Sequence, residues 1–214
     1  MLVKERMSRH PITVSPDTSL FDALRIIRDE KIRRLPVVEA SGKLVGIVSE
    51  KDLLYVAPSP ATTLSIYEMN YLISKIKIRE LMTSNVVTVE DDCPLEEAAR
   101  IMVDNHISGL PVMKDEMLVG MITESDLFRI FIELLGARQT GLRVTIGIHE
   151  GLGVLAQVTS GLAHLGADII ALGTFLGGDA STRIITVKVL GIERPEVEAL
   201  MHELNAEVLD IRVI

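Results

Sequence analysis

The chain has 214 residues, 48% of them hydrophobic and 24% charged, so it is long enough to bury the cores of one or two globular domains. Its net charge of -8 argues against a nucleic-acid partner, because proteins that bind the phosphate backbone normally present a basic face. Charges interrupt every apolar stretch short of a membrane span, the N-terminus lacks a secretory pattern, and Cys93 is the single cysteine, so we expect a cytoplasmic protein without disulfides.

The first elements in the chain predict a β-α-β-β-α unit. Residues 12–14 favour a short strand, and Ser15 to Thr18 supply side-chain oxygens that can cap the following helix. Its apolar face carries Leu20, Ala23, Leu24 and Ile27. Two apolar, β-branched runs joined by a turn at Gly42 then predict a hairpin, and residues 50–52 open a second helix.

The same order of elements recurs about 75 residues later. The matched positions are Met7 and Met82, Leu20 and Leu95, Ala23 and Ala98, the runs 35–37 and 110–112, and the runs 44–46 and 118–120. Between the copies, residues 58–78 form a connector, with a helix over 65–76 predicted from the capping-box spacing of Ser65 and Glu68.

From Gly141 onward the pattern changes. A strand over 142–148, a helix from Val154 to Gly166, a hairpin, a helix after Pro195 and a final strand give the order βαββαβ of ferredoxin-like folds. We therefore predict a mixed α and β fold. Its segments are repeat 1 over 1–57, the connector over 58–78, repeat 2 over 79–136 and a C-terminal domain over 141–214.

Each repeat contains the pattern Gly-h-h-[Ser/Thr]-x-x-Asp, where h is apolar. Ser49 or Thr123 lies at the start of a helix, where unpaired N–H groups attract phosphate. Asp52 or Asp126 follows one turn later, where a carboxylate can accept hydrogen bonds from the two hydroxyls of a ribose. We call Ser49 with Asp52 the first grip and Thr123 with Asp126 the second grip. The alternative interpretation of each is a simple helix cap.

The repeats resemble a tandem pair of CBS domains, a Bateman module, on the segments LPVV…GIVSEKDLL and LPVM…GMITESDLF. Residues 142–214 resemble an ACT domain on their element order and the turn HEGLGVL. The order CBS–CBS–ACT is similar to the acetoin-utilisation regulatory family. This resemblance implies a pseudo-twofold module with two clefts, each able to hold an adenosine derivative.

The resemblance also implies roles for individual residues. The second grip would hold phosphate and ribose in a cleft lined by Thr18, Ala23, Arg33, Arg34, Leu35 and Pro36. The first grip would face Cys93, Ala98, Gly109, Leu110 and Pro111. Arginine beside one cleft is expected to favour anionic phosphate there, with a solvated arginine pair as the alternative. An ACT ligand would lie at His149, Glu150, Gly151, Leu152 and Gly153, where a dimerisation domain without ligand is the alternative.

We expect a non-catalytic regulator with an adenine nucleotide (AMP, ADP or ATP) or an adenosine derivative as its regulatory ligand. The spacing of nucleophiles, histidines and carboxylates matches no catalytic or metal-binding motif, so no catalytic cofactor and no metal are expected. The expected partners are a second copy of the chain, an amino acid or other small molecule at the ACT-like domain, and a target protein, with no membrane partner. The alternatives are a ligand-free scaffold that binds a partner protein, and an enzyme.

Overall fold

The computed structural model describes residues 1–56, 71, 74–149, 151–178 and 181–214. The chain divides into two units, Met1–Leu127 and Phe128–Ile214. The predicted connector helix over 65–76 falls mostly outside the described residues. Of its four described members, 71, 74 and 75 are helical and 76 is not. Among the described residues, no helix has the length and apolar character that a membrane span needs.

The first unit contains repeat 1 and repeat 2 as far as Leu127. After the short strand β1 (Ser8–Arg9), repeat 1 forms α1 (Leu20–Asp29), β2 (Arg34–Val38), β3 (Leu44–Ser49) and α2 (Glu50–Tyr55). Repeat 2 forms β4 (Val89–Glu90), α3 (Leu95–Asp104), β5 (Gly109–Lys114), β6 (Met117–Thr123) and α4 (Glu124–Leu134). One sheet has the strand order β1-β6-β5-β4, and β2 pairs with β3 in a second. Helix α4 begins in the first unit and ends in the second.

The start of repeat 1 differs from its prediction. The N-cap of α1 is Ser19, whose hydroxyl accepts a hydrogen bond from the Asp22 N–H at 3.1 Å. The predicted capping residues form a turn instead, because the Thr18 hydroxyl accepts from the Ser15 N–H and lies 3.2 Å from the Ser15 hydroxyl. The strand predicted over 12–14 is reduced to one parallel bridge between Val14 and Val37.

The apolar positions of repeat 1 form a packed core, as the helical and strand periodicities predict. Helix α1 contributes three of its buried residues, and Ile78, which precedes repeat 2 in the chain, packs into the same core. The buried members are Val14, Leu20, Ala23, Ile27, Leu35, Val37, Val48, Leu53 and Ile78.

The two repeats exchange their N-terminal segments. Strand β1 of repeat 1 pairs antiparallel with β6 of repeat 2, and Thr83 of repeat 2 pairs with Ile47 in β3 of repeat 1. As a result Met7 packs on Gly120 and Met82 packs on Gly46. The glycine of the repeated motif therefore makes room for a methionine from the other repeat.

The second unit has the predicted order βαββαβ. Its elements are β7 (Leu142–His149), α5 (Val154–His164), β8 (Asp168–Leu176), β9 (Thr182–Leu190), α6 (Arg194–Glu203) and β10 (Glu207–Val213). All pairings are antiparallel, in the order β10-β7-β9-β8. Alternate residues of β7 and β9 pack against the apolar faces of α5 and α6. Gly166, with φ of +81°, ends α5 in the left-handed conformation that its sequence position predicts.

Candidate functional site

The two grips have the same internal geometry. In the second grip, the Thr123 hydroxyl donates to Asp126 Oδ2 at 2.6 Å and the Thr123 N–H donates to the same oxygen at 3.0 Å. In the first grip, the Ser49 hydroxyl donates to Asp52 Oδ2 at 2.6 Å and the Ser49 N–H donates to it at 2.8 Å. In both, the Asp N–H donates back to the hydroxyl oxygen, at 3.4 Å and 3.2 Å. Each grip is therefore a helix cap, the simpler of the two interpretations of the motif.

The grips differ in exposure and in the helix that follows. Asp126 is only 8% exposed, whereas Asp52 lies in the solvent. Helix α4 has 11 residues and α2 has six, so the second grip stands at the start of the longer helix. A carboxylate with little solvent around it makes stronger hydrogen bonds than an exposed one.

Each grip lies beside the first residues of its own hairpin. In the β2–β3 register Arg34 is opposite Ser49, and in the β5–β6 register Gly109 is opposite Thr123. Backbone hydrogen bonds also join the start of each helix to the residue before the first hairpin strand. The Glu50 N–H donates to the Arg33 carbonyl, and the Glu124 N–H donates to the Ser108 carbonyl. The residues before the LPV runs therefore border the grips.

The side chain of Arg34 crosses from repeat 1 to repeat 2. Its Nη1 donates to the Ser108 carbonyl at 3.2 Å, and its Nη2 makes a short hydrogen bond with Ser108 Oγ. A Cβ at Gly109 would lie 3.3 Å from this Nη1 and 3.4 Å from Thr123 Cγ2, so the glycine leaves space for the guanidinium. Arg34 therefore contacts Ser108, which borders the second grip.

The surroundings of Arg34 act on its protonation in both directions. Burial lowers the pKa of its guanidinium and Arg33 lowers it further, while the carboxylates of Glu124 and Asp52 act to raise it. Because an arginine in a protein keeps its proton, the result is a fixed positive charge between the two repeats. The Ser108 contact was missed in the sequence. Its signal was the mismatch of an arginine in one repeat with a glycine at the equivalent position of the other.

Several residues predicted to line the clefts lie in the repeat cores. Ala23, Leu35, Ala98 and Leu110 have no exposed surface, and Pro36 and Pro111 are buried as well. They pack against neighbouring helices and strands because they fall on the apolar sides of these elements. They shape the module without offering side-chain surface to a ligand in this conformation. Thr18, whose hydroxyl binds the Ser15 N–H, and the exposed Arg33 keep accessible atoms.

Cys93 occupies the position in repeat 2 that Thr18 occupies in repeat 1. Burial raises the pKa of its thiol, and the carboxylates of Glu97, Asp92 and Glu96 raise it further. The Cys93 Sγ donates to the Pro94 carbonyl at 3.4 Å. The thiol is therefore held in the protonated, weakly nucleophilic form. Within the described part of the chain, no group of three or more His, Cys, Asp or Glu side chains is arranged to hold a metal ion.

The residues predicted for an ACT ligand gather at the turn between β7 and α5. His149 ends β7 and is exposed, Gly151 and Leu152 are exposed, and Gly153 adopts φ of +82° as the N-cap of α5. Glu150 lies outside the described residues. The turn is open to solvent at each described position, which is compatible with either of its two interpretations.

Comparison with known proteins supplies the family. The model of the CBS domain family matches residues 3–59 and 78–133. A solved acetoin utilization protein of Vibrio cholerae is 35% identical with a TM-score of 0.54, and the match covers 64% of this chain and 95% of that one. The CBS domain pair of protein MJ0100, solved with 5′-methylthioadenosine and S-adenosyl-L-methionine, is 33% identical with a TM-score of 0.52. The match covers 65% of this chain and 98% of that one. CBSX2, solved with AMP, is 31% identical with a TM-score of 0.52, and the match covers 64% of this chain and 98% of that one.

Proposed function

The chain belongs to the CBS domain family, and we propose that its two repeats form a regulatory module that binds an adenine nucleotide or an adenosine derivative without catalysing a reaction. The observation that carries the proposal is the second grip, where a largely buried Asp126 carboxylate and the Arg34 guanidinium border the same helix start. Complexes of the similar CBS pairs with AMP and with S-adenosyl-L-methionine support the ligand class.

A carboxylate that caps a helix can also accept hydrogen bonds from a ligand. Asp126 uses one oxygen, Oδ2, for both hydrogen bonds from Thr123. A carboxylate offers about four lone-pair positions, and we propose that a ribose diol donates to this carboxylate. Thr123 then fixes the orientation of the carboxylate, and Arg34 supplies the positive charge for a phosphate.

Two further residues complete the proposed second site. Thr18 and Arg33 keep accessible atoms and join Thr123, Asp126 and Arg34 in this proposal. Ser49 and Asp52 form the corresponding centre of the first site. The buried alanine, leucine and proline residues and Gly109 are proposed to set the shape of both clefts rather than to bind through their side chains.

For the second unit we propose an ACT-like domain that supports dimerisation or senses an amino acid or another small molecule. The order βαββαβ and the antiparallel sheet support this proposal. Similarity of the chain to the Vibrio cholerae protein supports a role in acetoin utilisation or related carbon metabolism, through a target protein.

We expect the chain to form a homodimer. The outer strands β8 and β10 carry exposed apolar residues, among them Leu176 at 75% and Val213 at 69% exposure. Unpaired edges of this kind favour pairing with a second sheet. Light scattering at micromolar concentration should return twice the chain mass of 23.5 kDa, and the mass of a single chain would remove the proposal.

Thermal denaturation with added nucleotides tests the proposed function. A ligand that binds the native state and not the unfolded chain raises the melting temperature, and the rise grows with the ratio of free ligand to its dissociation constant. AMP, ADP or ATP should therefore raise the melting temperature of the protein. A ligand-free scaffold would melt at the same temperature with and without these nucleotides.

A further inference from the structure

One position breaks the symmetry of the two repeats. Arg34 begins β2 and Gly109 begins β5, and both precede the residue pair Leu-Pro. Each lies opposite the Ser or Thr of its own grip, Ser49 for Arg34 and Thr123 for Gly109. The module therefore has two grips and, at this pair of positions, a single guanidinium.

That guanidinium serves the grip of the other repeat. The Arg34 backbone pairs with Ser49, beside the first grip, whereas its Nη1 lies 3.2 Å from the Ser108 carbonyl. The same carbonyl accepts the Glu124 N–H that opens helix α4 at the second grip. One side chain thus spans the distance between the grips, and it fills the space that Gly109 leaves.

The charges around Arg34 come from both grips. Glu124 follows Thr123 directly, Asp52 belongs to the first grip, and both attract the guanidinium. Arginine binds phosphate through two parallel N–H groups, so a phosphate that replaces the Ser108 contacts takes up one edge of the fork. A phosphate in the other site would then find the Arg34 guanidinium already bound, and the charge of the first phosphate would repel it.

We infer that Arg34 is a shared phosphate-selecting residue, so that the module binds one phosphate-bearing adenine nucleotide strongly and a second one weakly. This inference deepens the proposed function and rests on it. It also predicts the chemistry of the weaker site, which accepts an uncharged adenosine derivative in preference to a nucleotide while the strong site holds phosphate.

Calorimetric titration of the intact chain with AMP and with adenosine tests the inference. In the unmodified protein the two AMP binding steps should differ at least about tenfold in affinity, and the two adenosine steps by less than about threefold. Arg34→Ala should weaken the strong AMP step by about tenfold to a hundredfold and leave adenosine within about threefold.

Two variants control for folding and for charge. Arg28→Ala removes the same charge from an exposed position in the last turn of helix α1, outside the proposed sites, and should change the strong AMP step by less than about threefold. Arg34→Lys keeps the charge without the two-pronged contact, so we expect an intermediate loss of AMP affinity if Arg34→Ala does not fold.

Three results would overturn the inference. The first is equal affinity of the two AMP steps in the unmodified protein. The second is a loss in Arg34→Ala or Arg34→Lys that is the same for AMP and adenosine, and the third is a loss of AMP affinity in Arg28→Ala equal to that in Arg34→Ala. If neither compound binds the unmodified protein, the proposed function fails, and the inference fails with it.

Discussion

Replacing Asp126 by alanine is expected to weaken adenine-nucleotide binding by about tenfold to a hundredfold, which corresponds to about 1.5–3 kcal/mol. The effect is large because the carboxylate is only 8% exposed and Thr123 holds it in one orientation. The ribose hydroxyls would lose a charge-assisted acceptor that water cannot easily replace at a largely buried position. Calorimetric titration of the variant with AMP measures the loss.

Two matched variants separate binding from stability. Asp126→Ala also removes a helix cap, which costs about 0.5–2 kcal/mol of stability, so circular dichroism must first show that the variant is folded. Asp52→Ala removes the equivalent, solvent-exposed carboxylate and is expected to reduce nucleotide affinity less. An Asp126→Ala protein that binds AMP with unchanged affinity would contradict the assignment of the second grip.

The Gly120→Ala variant is expected to destabilise the first unit by about 1–3 kcal/mol, the usual cost of overpacking. A Cβ at this position would overlap Met7 Sδ and lie 2.9 Å from the Ser8 carbonyl oxygen. The backbone of Ser8 cannot move freely, because strand β1 pairs with β6 at this residue. Urea denaturation followed by circular dichroism gives the change in the free energy of unfolding.

The equivalent variant Gly46→Ala is the control. Its Cβ would lie 2.5 Å from Met82 Sδ and its three nearest atoms all belong to that flexible side chain, which can adopt another rotamer. We therefore expect a smaller loss of stability than for Gly120→Ala. Equal losses would show that the backbone contact at Ser8 does not govern the cost.

Local sequence patterns were enough to predict most elements of the fold. The turn at Gly42, with φ of +84°, and the left-handed Gly166 appear where the sequence places them, because each depends on the conformational freedom of one glycine. The exchange of N-terminal segments could not be foreseen. It depends on the pairing of Ser8 with Met121, which are far apart in the chain and have no periodic signal in common.

The family resemblance did not predict which of the candidate cleft residues are accessible to a ligand. Ala23 and Ala98 were assigned to clefts by resemblance, and the structure places both in the core because the helices turn these small side chains inward. Lys188, which is not a candidate site residue, is buried although its position in the strand predicts exposure. Strand alternation places it on the face away from the helices, where a lysine is normally solvated, yet it is 2% exposed and its Nζ donates to the Gly136 carbonyl at 3.0 Å.

The thermal denaturation series with AMP, ADP and ATP tests the central claim most directly, with inorganic phosphate as the control for unspecific anion binding. A nucleotide at a hundred times its dissociation constant stabilises the native state by about 2.7 kcal/mol, or roughly 5–10 °C for a chain of this size. We predict a rise of this order with at least one of the nucleotides and a smaller one with phosphate. Melting temperatures that do not change with any adenine nucleotide, or that rise equally with phosphate, would contradict a nucleotide-binding regulatory module.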